Sequence, residues 1–199
     1  MAEFDFIGDG VRNEGIVPVK TGITGENKII YFGRRKNADG QFVQGQGQII
    51  VKQANGATFS QIFFEVKSDP ASEAYKWQSI ALRDALSHIC CKILTKEEYI
   101  SMANNAAGSF DRFFELMETQ VSPKLTDARF NWFLKIVLRQ NQKDGKWYPQ
   151  LPKKISFLEL QTEGKTTADT ISNTLANGEF YEIPQVTAPV AATETPLFT

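Results

Sequence analysis

Histidine and cysteine are nearly missing from this chain of 199 residues: there is one His, His88, and two Cys, Cys90 and Cys91. Two neighbouring cysteines in one helix would bridge only with strained geometry, so no disulfide framework is expected. A reducing compartment, the cytoplasm, suits that usage. Metal binding wants more ligands at regular spacing. His88, on the apolar side of a helical stretch, reads as a core imidazole, and the cysteine pair reads as helix packing. No apolar run approaches the ~18 residues of a membrane span. The first residues, Met-Ala-Glu-Phe-Asp-Phe-Ile, place acid before apolar side chains and lack a basic lead, so no secretory signal is expected. Gly45-Gln46-Gly47 lacks the third glycine of a dinucleotide fingerprint, and no Gly-Lys-Ser/Thr phosphate loop occurs. Asp5, Asp9 and Glu14 lie close in sequence but do not make a metal-nuclease set. The expectation is a protein that is not an enzyme and carries no cofactor.

What the chain does hold is phenylalanine and sorted charge. It has 15 Phe against 3 Trp and 5 Tyr, more flat apolar rings than a core of this size must use. The net charge is only −1, yet residues 28–67 carry six Lys and Arg against two acids, and residues 124–165 carry nine against four. The flanking segments 1–27, 68–123 and 166–199 are each net acidic, and the last has no Lys or Arg at all. Charge blocks of this kind also arise by chance, but they direct attention to two basic segments.

The residue pattern divides the chain into strand-rich and helical parts. Residues 1–27 are glycine-rich and aperiodic, an irregular arm with one short strand near 16–20. Strands are predicted at 28–34, 41–52 and 57–67, separated by turn signals at Asn37-Ala38-Asp39-Gly40 and Asn55-Gly56. Gly45 and Gly47 suggest a bulge or bend in the second strand. In the third, alternation would turn Ile62, Phe64 and Val66 to the core and Phe63, Glu65 and Lys67 outward. After Asp69-Pro70, residues 73–94 read as an amphipathic helix whose apolar side carries Trp77, Ile80, Ala81, Ala85, His88, Ile89 and Ile93. Thr95 and Ser109 look like N-caps of two more helices, the last ending at Ser122-Pro123. Strands return at 131–140 and 155–161, around a polar hairpin loop at 141–145. A short helix is predicted at 167–176, stopping at Asn177-Gly178. There is no internal repeat.

The two basic segments interleave cations with rings. Sequence-independent binding of a single nucleic-acid strand needs both: cations along the phosphates and aromatic faces for the bases, each stack being worth ~1–3 kcal/mol. The first segment offers Tyr31, Phe32, Arg34, Arg35, Lys36 and then Phe42. The second offers Phe133, Lys135, Arg139, Lys146, Trp147, Tyr148, Lys153 and Lys154, with Lys143 nearby. The plain alternative is that Tyr31, Phe32 and Trp147 are core and the cations are a solvated rim.

A local pattern adds to this reading. Leu134-Lys-Ile-Val-Leu, a polar turn, Gly145-Lys-Trp-Tyr-Pro, Leu151-Pro-Lys and Ile155-Ser-Phe-Leu-Glu together resemble a stretch of bacteriophage single-stranded DNA-binding proteins. Upstream, a strand meander and a helical insertion ending in Ser109-Phe110-Asp111-Arg112-Phe113 keep the same order. The resemblance spans about residues 28–161, its specific part being some thirty residues, and the chain departs from it in the longer loop at Asn141–Asp144 and the doubled Lys153-Lys154. It implies an OB-type barrel with inserted helices. It also implies an apolar-tipped tail that recruits replication or recombination proteins, here Pro196, Leu197 and Phe198, although this tail has few acids.

Composition and resemblance lead to one expectation. The fold class is α+β, a five-stranded OB-like Greek-key β-barrel over 28–182 with a helical insertion at about 73–120, an N-terminal arm at 1–27 and a flexible C-terminal tail at 183–199. The expected function is sequence-independent single-stranded DNA binding in phage DNA replication or recombination, in the host cytoplasm, without catalysis. A homo-oligomer is compatible with the sequence, and no membrane partner is expected. The rivals are a phage structural or assembly protein acting through protein–protein contacts, and a nuclease or nucleotide enzyme using carboxylates not grouped above.

Overall fold

A computed structural model describes residues 17–126, 130–153, 156–161 and 174–184. The elements run β1 (Gly22–Lys36), β2 (Phe42–Lys52), β3 (Thr58–Phe64), α1 (Glu73–Ile93), α2 (Lys96–Ala106), α3 (Phe110–Leu116), β4 (Trp132–Gln140), β5 (Trp147–Gln150) and β6 (Leu158–Leu160). The class is α+β, an antiparallel sheet with helices inserted between β3 and β4. Its strand order is β3-β2-β1-β4-β5, and β6 also pairs with β4. Among the described residues β3 pairs only with β2, and the sheet does not close into a barrel.

The organising strand is β1, which begins at Gly22 rather than 28. Its first part pairs with β4, from Gly22 opposite Ile136 to Asn27 opposite Trp132. Its second part pairs with β2, from Lys28 opposite Lys52 to Arg34 opposite Gly47. The exchange of partners falls where Glu26 adopts φ 57° and the ladder is interrupted. Buried Asn27 mends the break: its side-chain amide donates to the carbonyls of Thr24 (2.7 Å) and Trp132 (2.8 Å). Farther on, where β4 has left, Ser122 takes its place. Its hydroxyl donates to the carbonyl of Phe32 and accepts from the Phe32 amide. No strand forms over 17–20; the Gln53 side chain holds the Lys20 backbone instead.

The helices begin where their caps are. Ser72 accepts from the Tyr75 amide, Thr95 and Glu98 form a reciprocal capping box, and Ser109 accepts from Arg112. Regular α-helix stops at Leu116, short of Ser122-Pro123. A π-helical turn (Met117–Val121) and a 3-10 turn (Ser122–Thr126) carry the chain past Pro123 along the edge of β1.

The core lies between the helices and one face of the sheet. Phe32, Phe63 and Phe114 meet there with ring centroids 5.9–6.2 Å apart. Glycine at 47 is demanded by this contact, since a Cβ would stand 2.1 Å from the Phe114 ring. Gly45 takes φ 67°, an irregularity of the kind its place in the strand suggested. The β3 alternation is the reverse of the one expected: Phe59 and Phe63 are buried, while Phe64 is 41% exposed. The cause is that Phe63 completes the ring cluster. The apolar stripe of α1 is also shifted. Leu82, Leu86, Ile89, Cys90 and Ile93 meet the core, whereas Trp77 and His88 are exposed. Of the adjacent cysteines, Cys90 packs inside against Met117 and Cys91 faces out. Trp147–Gln150 is a strand not foreseen, and the last strand is shorter than 155–161. The helix predicted at 167–176 falls mainly outside the described residues, as do most of the arm and tail; residues 174–176 are not helical.

Candidate nucleic-acid interface

Cross-strand register sorts the first basic segment onto two sides of the sheet. On the core side of β1 lie Phe32 and Arg34, opposite Ile49 and Gly47. Phe32 is 0% exposed, so its ring has no face to offer a base and it leaves the candidate surface. Arg34 is held by Glu118 (3.3 Å) and Glu115 (3.7 Å), with its guanidinium 3.7 Å from the centroid of the Phe42 ring. Lys36 also reaches Glu118 and Phe42. These two cations are therefore largely answered by the helical side. Arg112, hydrogen-bonded to Glu115, holds that carboxyl below its usual range.

The other side of β1 carries Lys28, Tyr31, Gly33 and Arg35. Through the β1–β2 and β2–β3 registers they form rows across the meander: Lys28–Lys52–Thr58, Tyr31–Ile50–Ser60 and Gly33–Gln48–Ile62. Arg35 stands beside Gln46, with which it shares a hydrogen bond, and Gln46 lies opposite Phe64. Gly33 is buried beneath Glu118, and the other residues in these rows are half-buried or exposed. The Tyr31 hydroxyl donates to the Arg34 carbonyl, and together with the Glu118 side chain it occupies the space that a side chain at Gly33 would need. The ring is thus laid along the strand. Burial, with the Glu118 carboxylate beside it, pushes the Tyr31 hydroxyl up to about 12. The face offers two rings and two aliphatic side chains as a floor, amides between them, and Lys52 and Arg35 toward its two ends.

The second basic segment is placed differently. In β4 the core side carries Trp132, Leu134 and Ile136, as alternation suggests. The other side is the continuation of the open face, but here it is closed. Phe133 and Lys135 are buried, which withdraws both from any nucleic-acid contact. Lys135 lies 2.6 Å from Glu159 across the β4–β6 pair. Arg139 is consumed by Glu179, the Gln150 side chain and the Leu151 carbonyl. Glu179, itself buried, also accepts from the amides of Lys153 and Ala176. The physical reason is local: two carboxylates meet the two cations that alternation turned to this side.

The end of that segment remains at the surface. Lys146 and Lys153 are exposed, and Trp147 is half-buried, edge-on to Phe180 at 5.6 Å. Tyr148 donates to Asp144 (2.6 Å), a bond that holds the Asp144 carboxyl below its usual range. Lys154, Pro196, Leu197 and Phe198 lie outside the described residues.

Residues that composition did not single out complete the open face: Lys28, Gln46, Gln48, Ile50, Lys52, Ile62 and Phe64. A signal was present in β2, where Gln44, Gln46, Gln48, Ile50 and Lys52 alternate with Gly45, Gly47, Ile49 and Val51. Among the described residues, no group of three or more His, Cys, Asp or Glu could hold a metal ion, and no helix is long and apolar enough to cross a membrane. No protein-family model, curated protein or solved structure matches the chain.

Proposed function

We propose that this protein binds single-stranded DNA without sequence preference, in phage replication or recombination, and that the strand lies across the outer face of β1, β2 and β3. The observation that carries the reading is the set of half-buried and exposed side chains that register brings to that face, with Tyr31 and the 41% exposed Phe64 for stacking and Lys52 and Arg35 for phosphates. Bases stacked on such rings gain ~1–3 kcal/mol each without any readout of sequence. Binding alone is the activity, and no bond is made or broken. The finer architecture belongs to the same proposal: a partly open OB-like barrel, whose second and third strands are the usual oligonucleotide face. It is supported by a long β1 shared between β2 and β4 and by helices inserted before β4.

The assembly-protein reading finds its support in β3, which among the described residues pairs only with β2, since an edge strand can accept a strand from another chain. One titration separates the two. Anisotropy of a labelled unstructured oligonucleotide, and of the matching duplex, is followed at two salt concentrations. Tight single-strand binding that weakens with salt, with a much weaker duplex response, is expected. Binding unchanged by Phe64→Ala and Tyr31→Ala removes the open face from the reading, and no binding at all leaves the assembly role.

A further inference from the structure

The first half of α1 stands apart from the core. Its buried residues all come from Leu86 onward, joined by Leu82 on the same stripe. At about 3.6 residues per turn, Glu73, Trp77, Ile80 and Asp84 fall on the opposite side. Trp77 is 61% exposed, and among the described residues its indole N–H reaches only the side chain of Glu73, one turn earlier on the same helix. Trp77 and Ile80 thus make an apolar pair on this side of the helix, with Trp a residue type that anchors interfaces.

We propose that this face joins two copies of the chain, with their α1 helices crossing antiparallel about a two-fold axis at Ile80. The charges choose this partner and this direction. A two-fold at Ile80 sets each Lys76 opposite the other copy's Asp84, each Trp77 opposite Arg83, and Ile80 opposite itself. Lys76 has no ion pair among the described residues, and Asp84 pairs only with its exposed neighbour Arg83. A parallel pair would oppose Lys76 to Lys76 and Asp84 to Asp84. Glu73 and Asp84 on the same face disfavour a polyanion there, whereas a second copy matches both signs at once. The row Lys76, Ile80, Asp84 is a ridge of fourth residues, the kind that interdigitates between helices at about 50°.

Sedimentation velocity across a concentration series tests this, with circular dichroism confirming that each variant is folded. The parent chain is expected to dimerise. Lys76→Glu or Asp84→Lys alone sets like charges opposite each other at two symmetric points and weakens the dimer about tenfold. The double variant Lys76→Glu/Asp84→Lys restores it, and Trp77→Ala loses it. A parent chain that stays monomeric would give the face to a different partner and overturn the proposal. A dimer indifferent to the single swaps, or not rescued by the double swap, would overturn it as well.

Discussion

Over β1–β3 the outer face of the sheet carries Tyr31, Ile50, Ile62 and Phe64, all half-buried or exposed; over β4 that same face is shut, and Phe133, Lys135 and Val137 are buried. Both regions draw on segments rich in cations and rings. What separates them is where the carboxylates stand. In the first region Glu115 and Glu118 engage Arg34 and Lys36, and Glu118, at the edge of β1, also lies beside Tyr31 and over Gly33, so that Arg35 and Lys52 are the cations left to the outer face. In the second, Glu159 and Glu179 reach the outer side itself and take Lys135 and Arg139. A basic segment is therefore not a basic surface until the position of its counter-charges is known.

The sharpest break in the comparison comes from rings that look equivalent in sequence. Phe32→Ala should cost about 3–5 kcal/mol in urea unfolding, because it hollows the Phe63–Phe114 cluster. Phe64→Ala, at a ring 41% exposed, should cost much less stability than Phe32→Ala. It should weaken oligonucleotide binding by about 1–3 kcal/mol, read by anisotropy. The cations should divide the same way. Lys135→Ala should lower stability by about 1–3 kcal/mol, the loss being moderated because Glu159 keeps contact with water. Lys52→Gln should leave unfolding untouched and reduce the salt slope of single-strand binding by roughly 0.7.

The smallest effect is electrostatic. The Tyr31 hydroxyl ionises at higher pH in the folded state than in the unfolded chain, so its contribution is complete below about pH 10. It is lost as pH rises through about 12. Ultraviolet titration of the parent against Tyr31→Phe should show the highest tyrosine step vanish. A Tyr31 step at the ordinary position would mean that the ring is not laid against the sheet.

Local signals carried the fold further than they carried the site. Capping residues Thr95 and Ser109, the Asn55-Gly56 turn and the alternation of β4 were readable because each acts within a few residues. The start of β1 was not readable. Gly22, Gly25 and the left-handed Glu26 look like an arm until Asn27 is seen to bind Trp132, which lies 105 residues away. The face of β3 was misjudged for a similar reason. Phe63 and Phe64 are equivalent to a period of two, and only Phe114, from a distant helix, selects between them. For the site, segment composition located Tyr31 and Arg35 but passed over Lys52, Ile62 and Phe64, whose common face is defined by pairing between strands. Trp77 was assigned to a core stripe because spacing alone cannot say which side of a helix meets the protein.

The shared strand also has a consequence in time. Pairing β1 with β2 closes a short turn, while pairing it with β4 closes a loop of more than a hundred residues that includes α1, α2 and α3. Loop closure of that length delays the second event relative to the first. The amides of Val51 and Phe59 should then gain protection early in pulse-labelled refolding, and those of Thr24 and Leu134 late. Asn27, at the boundary, would act as the latch that ends folding, so that Asn27→Ala mainly hastens unfolding and barely slows the first collapse.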